Sequence, residues 1–391
     1  MTNDIKCPVC SSSDSFSHNV GDLPQVRSDD QVALTKIEIL RECNRCRLIF
    51  TEMTETWRES CQVIYESYSV HSLSDGKPPK IYSETNFSVS RNSKILELVS
   101  NKINLDNKSS WLDYGCGSGD FLLETGSKFP NLNLYGVELK IQPILHLLNK
   151  SVIKGIASID SAHELGKSEI VSLIHVLEHL ERPSDTLQKI KRVLLKTDGV
   201  LVVAVPNVME NPFDLCIYDH ALHFEPQTLV NLLVKNGFNV IEIKTDSIIG
   251  EILVIATPFS KESTLHSLDS IYFQQNPTFE LESKRLNNAL QYLYSVKNLI
   301  EAELAHEQKI IIFGTGISAI WALQIVGANR VVAWADEDRD RVGKEMAGIN
   351  VIHPDQIDHD GIVLICMSRL KANNLRARSQ TWKFRTFWAV I

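Results

Sequence analysis

The stretch that decides the fold runs Trp111-Leu112-Asp113-Tyr114-Gly115-Cys116-Gly117-Ser118-Gly119-Asp120-Phe121-Leu122. Trp111 to Asp113 reads as a short buried strand, and Phe121 to Lys128 as the helix that follows. Three glycines at alternate positions let the chain turn tightly and bring its backbone close to a ligand. In a dinucleotide fold the helix end after such a turn faces a pyrophosphate. Here an acid, Asp113, closes the strand before the first glycine, and a carboxylate there suits a cationic ligand better. Glu138 lies 19 residues after Gly119, at the end of the next strand, Leu132 to Val137. It is placed to accept hydrogen bonds from two ribose hydroxyls.

Working outward, Ile95, Leu96, Leu98, Val99 and Ile103 recur at helical spacing ahead of the glycine turn. Beyond it, helices are expected over Ile141 to Asn149, Ser184 to Leu195 and Leu229 to Lys235. Strands are expected over Glu169 to Val176, Val200 to Val205, Val240 to Ile243 and Ile252 to Ala256. Strands alternating with helices imply an α/β doubly wound parallel sheet, with late antiparallel strands.

The segment from Val89 to Ala256 resembles a class I S-adenosylmethionine methyltransferase. Besides the D-x-G-x-G-x-G turn and Glu138, the resemblance rests on Ile174 to Pro183 (I-H-V-L-E-H-L-E-R-P) and Gly199 to Asn207 (G-V-L-V-V-A-V-P-N). It implies S-adenosyl-L-methionine as cofactor and a Rossmann-like sheet. It also implies that Gly115, Cys116, Gly117 and Gly119 line the methionine and ribose, with Asp113 near the amino group. Glu138 and Leu139 would hold the ribose, Ser158 would flank the adenine, and His175 would close the pocket. An NAD-binding Rossmann domain is the competing reading of the turn alone.

Methyl transfer needs an aligned nucleophile that often must lose a proton. Histidine suits that task, because its pKa lies near the working pH. Ile217-Tyr218-Asp219-His220-Ala221-Leu222-His223-Phe224 follows the strand that ends at Pro206-Asn207, at the usual mouth of an open α/β sheet. His220 is the expected general base, with Asp219 or another acid orienting its ring. Tyr218 and His223 complete the candidate set, His223 with a competing structural role. His175 to His179 also matches H-x-x-E-H, an inverted zinc-protease pattern. That reading is set aside, because the segment lies at a strand end rather than on a long helix.

Cys7, Cys10, Cys43 and Cys46 form two CxxC knuckles separated by 32 residues. Four thiolates suit a tetrahedral structural zinc, Zn2+, with no open position for water. The other four cysteines read as buried or incidental. Gly314-Thr315-Gly316-Ile317-Ser318-Ala319 repeats the strand-and-glycine theme, with Asp336 20 residues after Gly316. It marks a smaller C-terminal Rossmann-like unit.

The expected divisions are a zinc module at 1–56 and a linker or substrate flap at 57–88, with Tyr65, Tyr68, His71 and Tyr82. A methyltransferase domain follows at 89–260, then a linker and long helix at 261–306 and the C-terminal unit at 307–391. That layout resembles the three-domain sugar-nucleotide C-methyltransferases. The resemblance implies a nucleotide-linked keto-deoxysugar as substrate, with a proton removed from the carbon beside its ketone. The chain departs from that family, reading Ile217-Tyr218-Asp219-His220 where Y-H-E-H is common, so O-methylation of a sugar or related small molecule stays open. So does a regulatory or bifunctional protein that binds NAD or a nucleotide through its C-terminal unit.

The net charge of −8 argues against nucleic acid or anionic membrane as partner. The expectation is a cytoplasmic protein, monomer or homodimer, with no signal peptide and no membrane span.

Overall fold

The computed structural model describes residues 5–67, 80–82, 88–259, 285–357, 361–380 and 382–390. Near the N-terminus come β1 (Ser15–Asn19), β2 (Val26–Arg27), β3 (Gln31–Val32), β4 (Ile39–Cys43) and β5 (Ile49–Thr51). Helix α1 (Glu55–Ser67) follows, where a polar linker was expected. Trp57, Cys61 and Ile64 are buried at i, i+4 and i+7, which is one helix face. Thr54 caps the start by accepting from the Trp57 amide. Tyr68 and His71 of the expected flap lie outside the described residues. β6 (Lys80–Tyr82) and β7 (Ser88–Ser90) pair antiparallel and lead into α2 (Arg91–Lys102).

The central sheet contains β8 (Ser110–Tyr114), β9 (Asn133–Glu138), β10 (Ile153–Ser158), β11 (Ser168–Ile174) and β12 (Leu195–Pro206). A short strand, β13 (Leu222–His223), leaves this sheet, and β14 (Phe238–Lys244) and β15 (Glu251–Pro258) return to it. The order is β10-β9-β8-β11-β12-β15-β14. The first five strands are parallel, while β15 runs antiparallel to both β12 and β14. This is a Rossmann-like α/β fold with a mixed sheet. Helices α3 (Asp120–Lys128), α4 (Pro183–Lys189) and α5 (Pro226–Lys235) connect its strands. Val200 to Val205 are buried, each aliphatic side chain contributing roughly 1.5–3 kcal/mol.

Two expected helices are shorter or tighter than predicted. Gln142–Asn149 is 3₁₀, with Pro143 in its first turn. The Ser184–Leu195 stretch divides into α4 and a π turn at Ile190–Leu194, after which Leu195 already begins β12. β10 falls where no strand was anticipated.

The first sheet has the order β1-β4-β5-β13. Its fourth strand therefore comes from the segment that follows β12, and Leu222 pairs with Phe50 and His223 with Ile49. After the expected linker, of which 260–284 lies outside the described residues, α6 (Arg285–Glu303) buries Leu286, Leu293, Val296 and Ile300. Then come β16 (Ile310–Phe313), α7 (Ile317–Val326), β17 (Val331–Ala335), β18 (Glu345–Met346) and β19 (Ile349–Ile352). The chain closes with β20 (Ile362–Cys366), α8 (Arg369–Arg378) and β21 (Arg385–Ala389). These strands form a third sheet in the order β18-β19-β17-β16-β20-β21.

Candidate active site

Strand order reverses between β8 and β11, and the carboxyl ends of β8 to β11 bring the expected cofactor residues together. Gly115, Gly117 and Gly119 all have left-handed φ, at 78°, 51° and 85°. A β-carbon on Gly115 would strike Val176, and one on Gly119 would strike Leu147. Glu138 ties the turn to the next strand: one oxygen accepts from the Gly117 amide and the other from the Leu139 amide, both at 2.7 Å. The Leu139 side chain is exposed. Ser158 ends β10 and hydrogen-bonds Ser161. Cys116 belongs to the turn only through its backbone, because its buried thiol packs beneath β9 against Gly136.

Asp113 is 2% exposed. It accepts one hydrogen bond from Ser172 Oγ at 2.6 Å, and Ser172 in turn accepts from Trp111 Nε1. Burial pushes the Asp113 carboxyl up to about 7, against the Ser172 bond. A cation beside an acid desolvated in this way would favour its ionised form. His175 follows β11 at φ 55°, a costly conformation for a side chain with a β-carbon. Its Nδ1 lies 3.2 Å from Glu178 and its Nε2 3.1 Å from Glu251. Burial and the Arg91 guanidinium oppose its charge, but the two carboxylates outweigh them and lift it to about 9. Glu251 is also 3.8 Å from Arg91, at the start of α2.

The loop after β12 forms the other half. His220 is buried, and its Nδ1 lies 2.7 Å from Asp214 Oδ1. The second oxygen of Asp214 lies 2.7 Å from His223 Nδ1. Asp214, not Asp219, therefore orients the His220 ring. Asp219 instead accepts from the Ser28 amide at 2.8 Å and the Ser28 hydroxyl at 2.5 Å. The acid six residues before His220 carried no motif, and only the folded loop selects it. Burial works against the Asp214 carboxylate, but the two imidazoles hold it well below the usual range. Burial likewise opposes charge on His220, and the Asp214 carboxylate raises it. His179 stacks edge-on against His220, with ring centres 4.7 Å apart. Its Nδ1 is 3.0 Å from the Asp219 carbonyl and 3.2 Å from the Tyr65 hydroxyl. Tyr218 is a core residue, 2% exposed.

N-terminal residues that sequence reasoning missed hold this loop. Thr51 Oγ1 donates to the His220 carbonyl, and Trp57 Nε1 to the Tyr218 carbonyl, each at 2.8 Å. The Tyr218 amide donates to the Val26 carbonyl, and the Thr51 amide to that of Ala221. On the other side Phe213 packs edge-on against Tyr292 of α6 and Trp321 of α7.

The Sγ atoms of Cys7, Cys10, Cys43 and Cys46 lie within 4.8 Å of one another. Both knuckles have one geometry: the amide of the fourth residue onward, Ser11 or Arg47, donates to the first cysteine's carbonyl. Ser11 and Arg47 both have left-handed φ. Cys61, Cys116, Cys216 and Cys366 are buried and unpaired, as expected. In the C-terminal turn, Asp336 accepts from Thr315 Oγ1 at 2.7 Å and from the Asp338 amide at 2.8 Å. Asp336, 20 residues after Gly316, is thus engaged within the protein. No helix among the described residues is long and apolar enough to cross a membrane.

Residues 87–243 match a family described as a methyltransferase domain. Among solved structures, mitomycin 7-O-methyltransferase is similar at 16% identity and a TM-score of 0.37, over 43% of this chain and 54% of that one. The chain thus spans about half the length of that enzyme. An S-adenosylmethionine-dependent methyltransferase from Clostridium acetobutylicum aligns at 11% identity and a TM-score of 0.35, over 43% of this chain and 92% of its own. 1,6-Didemethyltoxoflavin-N1-methyltransferase from Burkholderia thailandensis, solved with S-adenosylhomocysteine, aligns at 15% identity and a TM-score of 0.35, over 43% and 77%. No curated protein matches the chain. The family match thus places a methyltransferase domain over residues 87–243, the segment that contains the parallel strands of the central sheet and the glycine turn.

Proposed function

We propose that the chain methylates a nucleotide-linked keto-deoxysugar at the carbon beside the ketone, with His220 as general base. The observation that carries this reading is the buried Asp214–His220 pair at the mouth of the sheet. Bound S-adenosylmethionine supplies an electrophilic methyl group. Asp113 would hold its amino group and Glu138 its ribose, with the glycine turn against its backbone. With Nδ1–H donated to Asp214, His220 keeps a lone pair on Nε2. That nitrogen takes the proton from the acceptor carbon, and Asp214 stabilises the imidazolium.

The four cysteines would hold a structural zinc. For Zn–S bonds of about 2.3 Å, the edges of a tetrahedron are about 3.8 Å. The Cys7–Cys46 and Cys10–Cys43 separations are 3.5 and 3.4 Å. Residues 307–391 are read as a Rossmann-like unit that helps hold the nucleotide.

The test is to incubate the protein with S-adenosylmethionine and a panel of nucleotide-linked keto sugars and to follow S-adenosylhomocysteine. His220→Ala should abolish turnover while cofactor still binds. Carbon-13 NMR of the product separates carbon from oxygen methylation. Full turnover by His220→Ala would overturn the base assignment.

A further inference from the structure

We propose that Glu178, His179 and His220 form a binding site for a divalent first-row transition-metal cation. One ligand atom from each lies within 4.8 Å of the other two. Two imidazoles and one carboxylate suit zinc, iron or manganese and leave coordination positions open.

Both imidazoles are already fixed through their other nitrogen. Asp214 engages Nδ1 of His220. The Asp219 carbonyl and Tyr65 hydroxyl face Nδ1 of His179. Nε2 is the nitrogen left available on each ring. Proteins commonly orient a metal-binding histidine by such an outer hydrogen bond.

Glu178 supplies the independent observation. It is 1% exposed. His175 Nδ1 forms an ion pair with Oε1 at 3.2 Å, and Oε2 has no hydrogen-bond partner among the described residues. A buried carboxylate oxygen left without a partner is costly, and a cation at the cluster satisfies it. The neighbouring group of Asp214, His220 and His223 has no such vacancy, because both oxygens of Asp214 are bound to the two Nδ1 atoms. The ligand set also differs from the H-x-x-E-H motif: His175 is replaced by His220, which is distant in sequence.

The consequence for regulation rests on the proposed role of His220. An ion on Nε2 occupies the lone pair that would take the acceptor's proton. Occupancy should therefore suppress methyl transfer, and the site would make turnover sensitive to free metal.

The test uses the full chain, stripped of loosely held metal and titrated with Mn2+, which thiolates do not favour. Wild type should bind one equivalent outside the four-cysteine cluster, with imidazole nitrogen coupling in pulsed electron paramagnetic resonance. Glu178→Gln and His179→Ala should each weaken binding at least about tenfold, with cofactor affinity confirming that they fold. No Mn2+ binding by wild type, no nitrogen coupling, or equal binding by all three proteins overturns the site. The spectroscopic readout needs no variant. Methyl transfer is assayed separately. An ion that binds as described but raises turnover would count against His220 as base, leaving the metal site standing.

Discussion

Asp214 holds two imidazoles with one carboxylate, so its loss should be felt twice. Asp214→Asn leaves the shape but frees the ring of His220, and should lower kcat by on the order of 10²-fold or more. Asp219→Asn should cost much less, because Asp219 is bonded to Ser28. Steady-state kinetics on the two variants decides which acid serves the histidine; an equal loss would contradict the geometry.

Asp113 makes a prediction about pH. Its carboxyl is raised from 3.8 to about 7 by burial, so between those values the folded protein keeps a proton that the unfolded chain releases. Its contribution to stability is full below pH 4 and is lost as pH rises through 7. Relative to Asp113→Asn, cofactor-free wild type should lose thermal stability over that window. In the proposed role of Asp113, the ionised form is the one that would hold a cationic amino group. Affinity for S-adenosylmethionine should therefore rise from about pH 5.5 to 7, where the amino group is still protonated, and change less in Asp113→Asn. Titration calorimetry at several pH values reads this directly.

Among the elements, β13 links the N-terminal sheet to the histidine loop. It pairs with β5, two strands from the cysteine-bearing end of β4. Disturbing the knuckles should loosen the loop and spare the glycine turn, which belongs to a different sheet. Cys43→Ser should then lower kcat far more than it weakens cofactor binding. Parallel measurement of turnover and cofactor affinity tests this, and a loss confined to cofactor binding would refute it. The same element explains part of what reading the chain missed. Two residues of strand leave no periodic signal, and α1 was obscured because its three buried residues are spread through polar sequence.

At the scale of the whole molecule, the loop that carries Asp214, His220 and His223 is held from two sides. N-terminal residues grip 217–223, and Phe213 is wedged against α6 and α7. Phe213→Ala should destabilise the protein by about 3–5 kcal/mol. Because Asp214 is its neighbour, turnover at temperatures below the melt should fall too. Thermal unfolding together with kinetics checks both effects, and unchanged turnover would show that the C-terminal elements do not position the loop.

The glycine turn and its surroundings were legible in the chain itself. Left-handed turns call for glycine at 115, 117 and 119, and Asp113 and Glu138 follow from their places at strand ends. Those are local requirements, set by backbone sterics and strand polarity within about 30 residues. The paired knuckles were legible for the same reason. The acceptor side was decided only by tertiary structure. Three acids, Glu178, Asp214 and Asp219, stand near the histidines, and spacing alone cannot rank them. Ser28 draws Asp219 away and Asp214 takes both rings, while Glu178 is left buried between them. That outcome depends on contacts spanning up to 191 residues, made when the N-terminal sheet borrows its last strand from the methyltransferase domain.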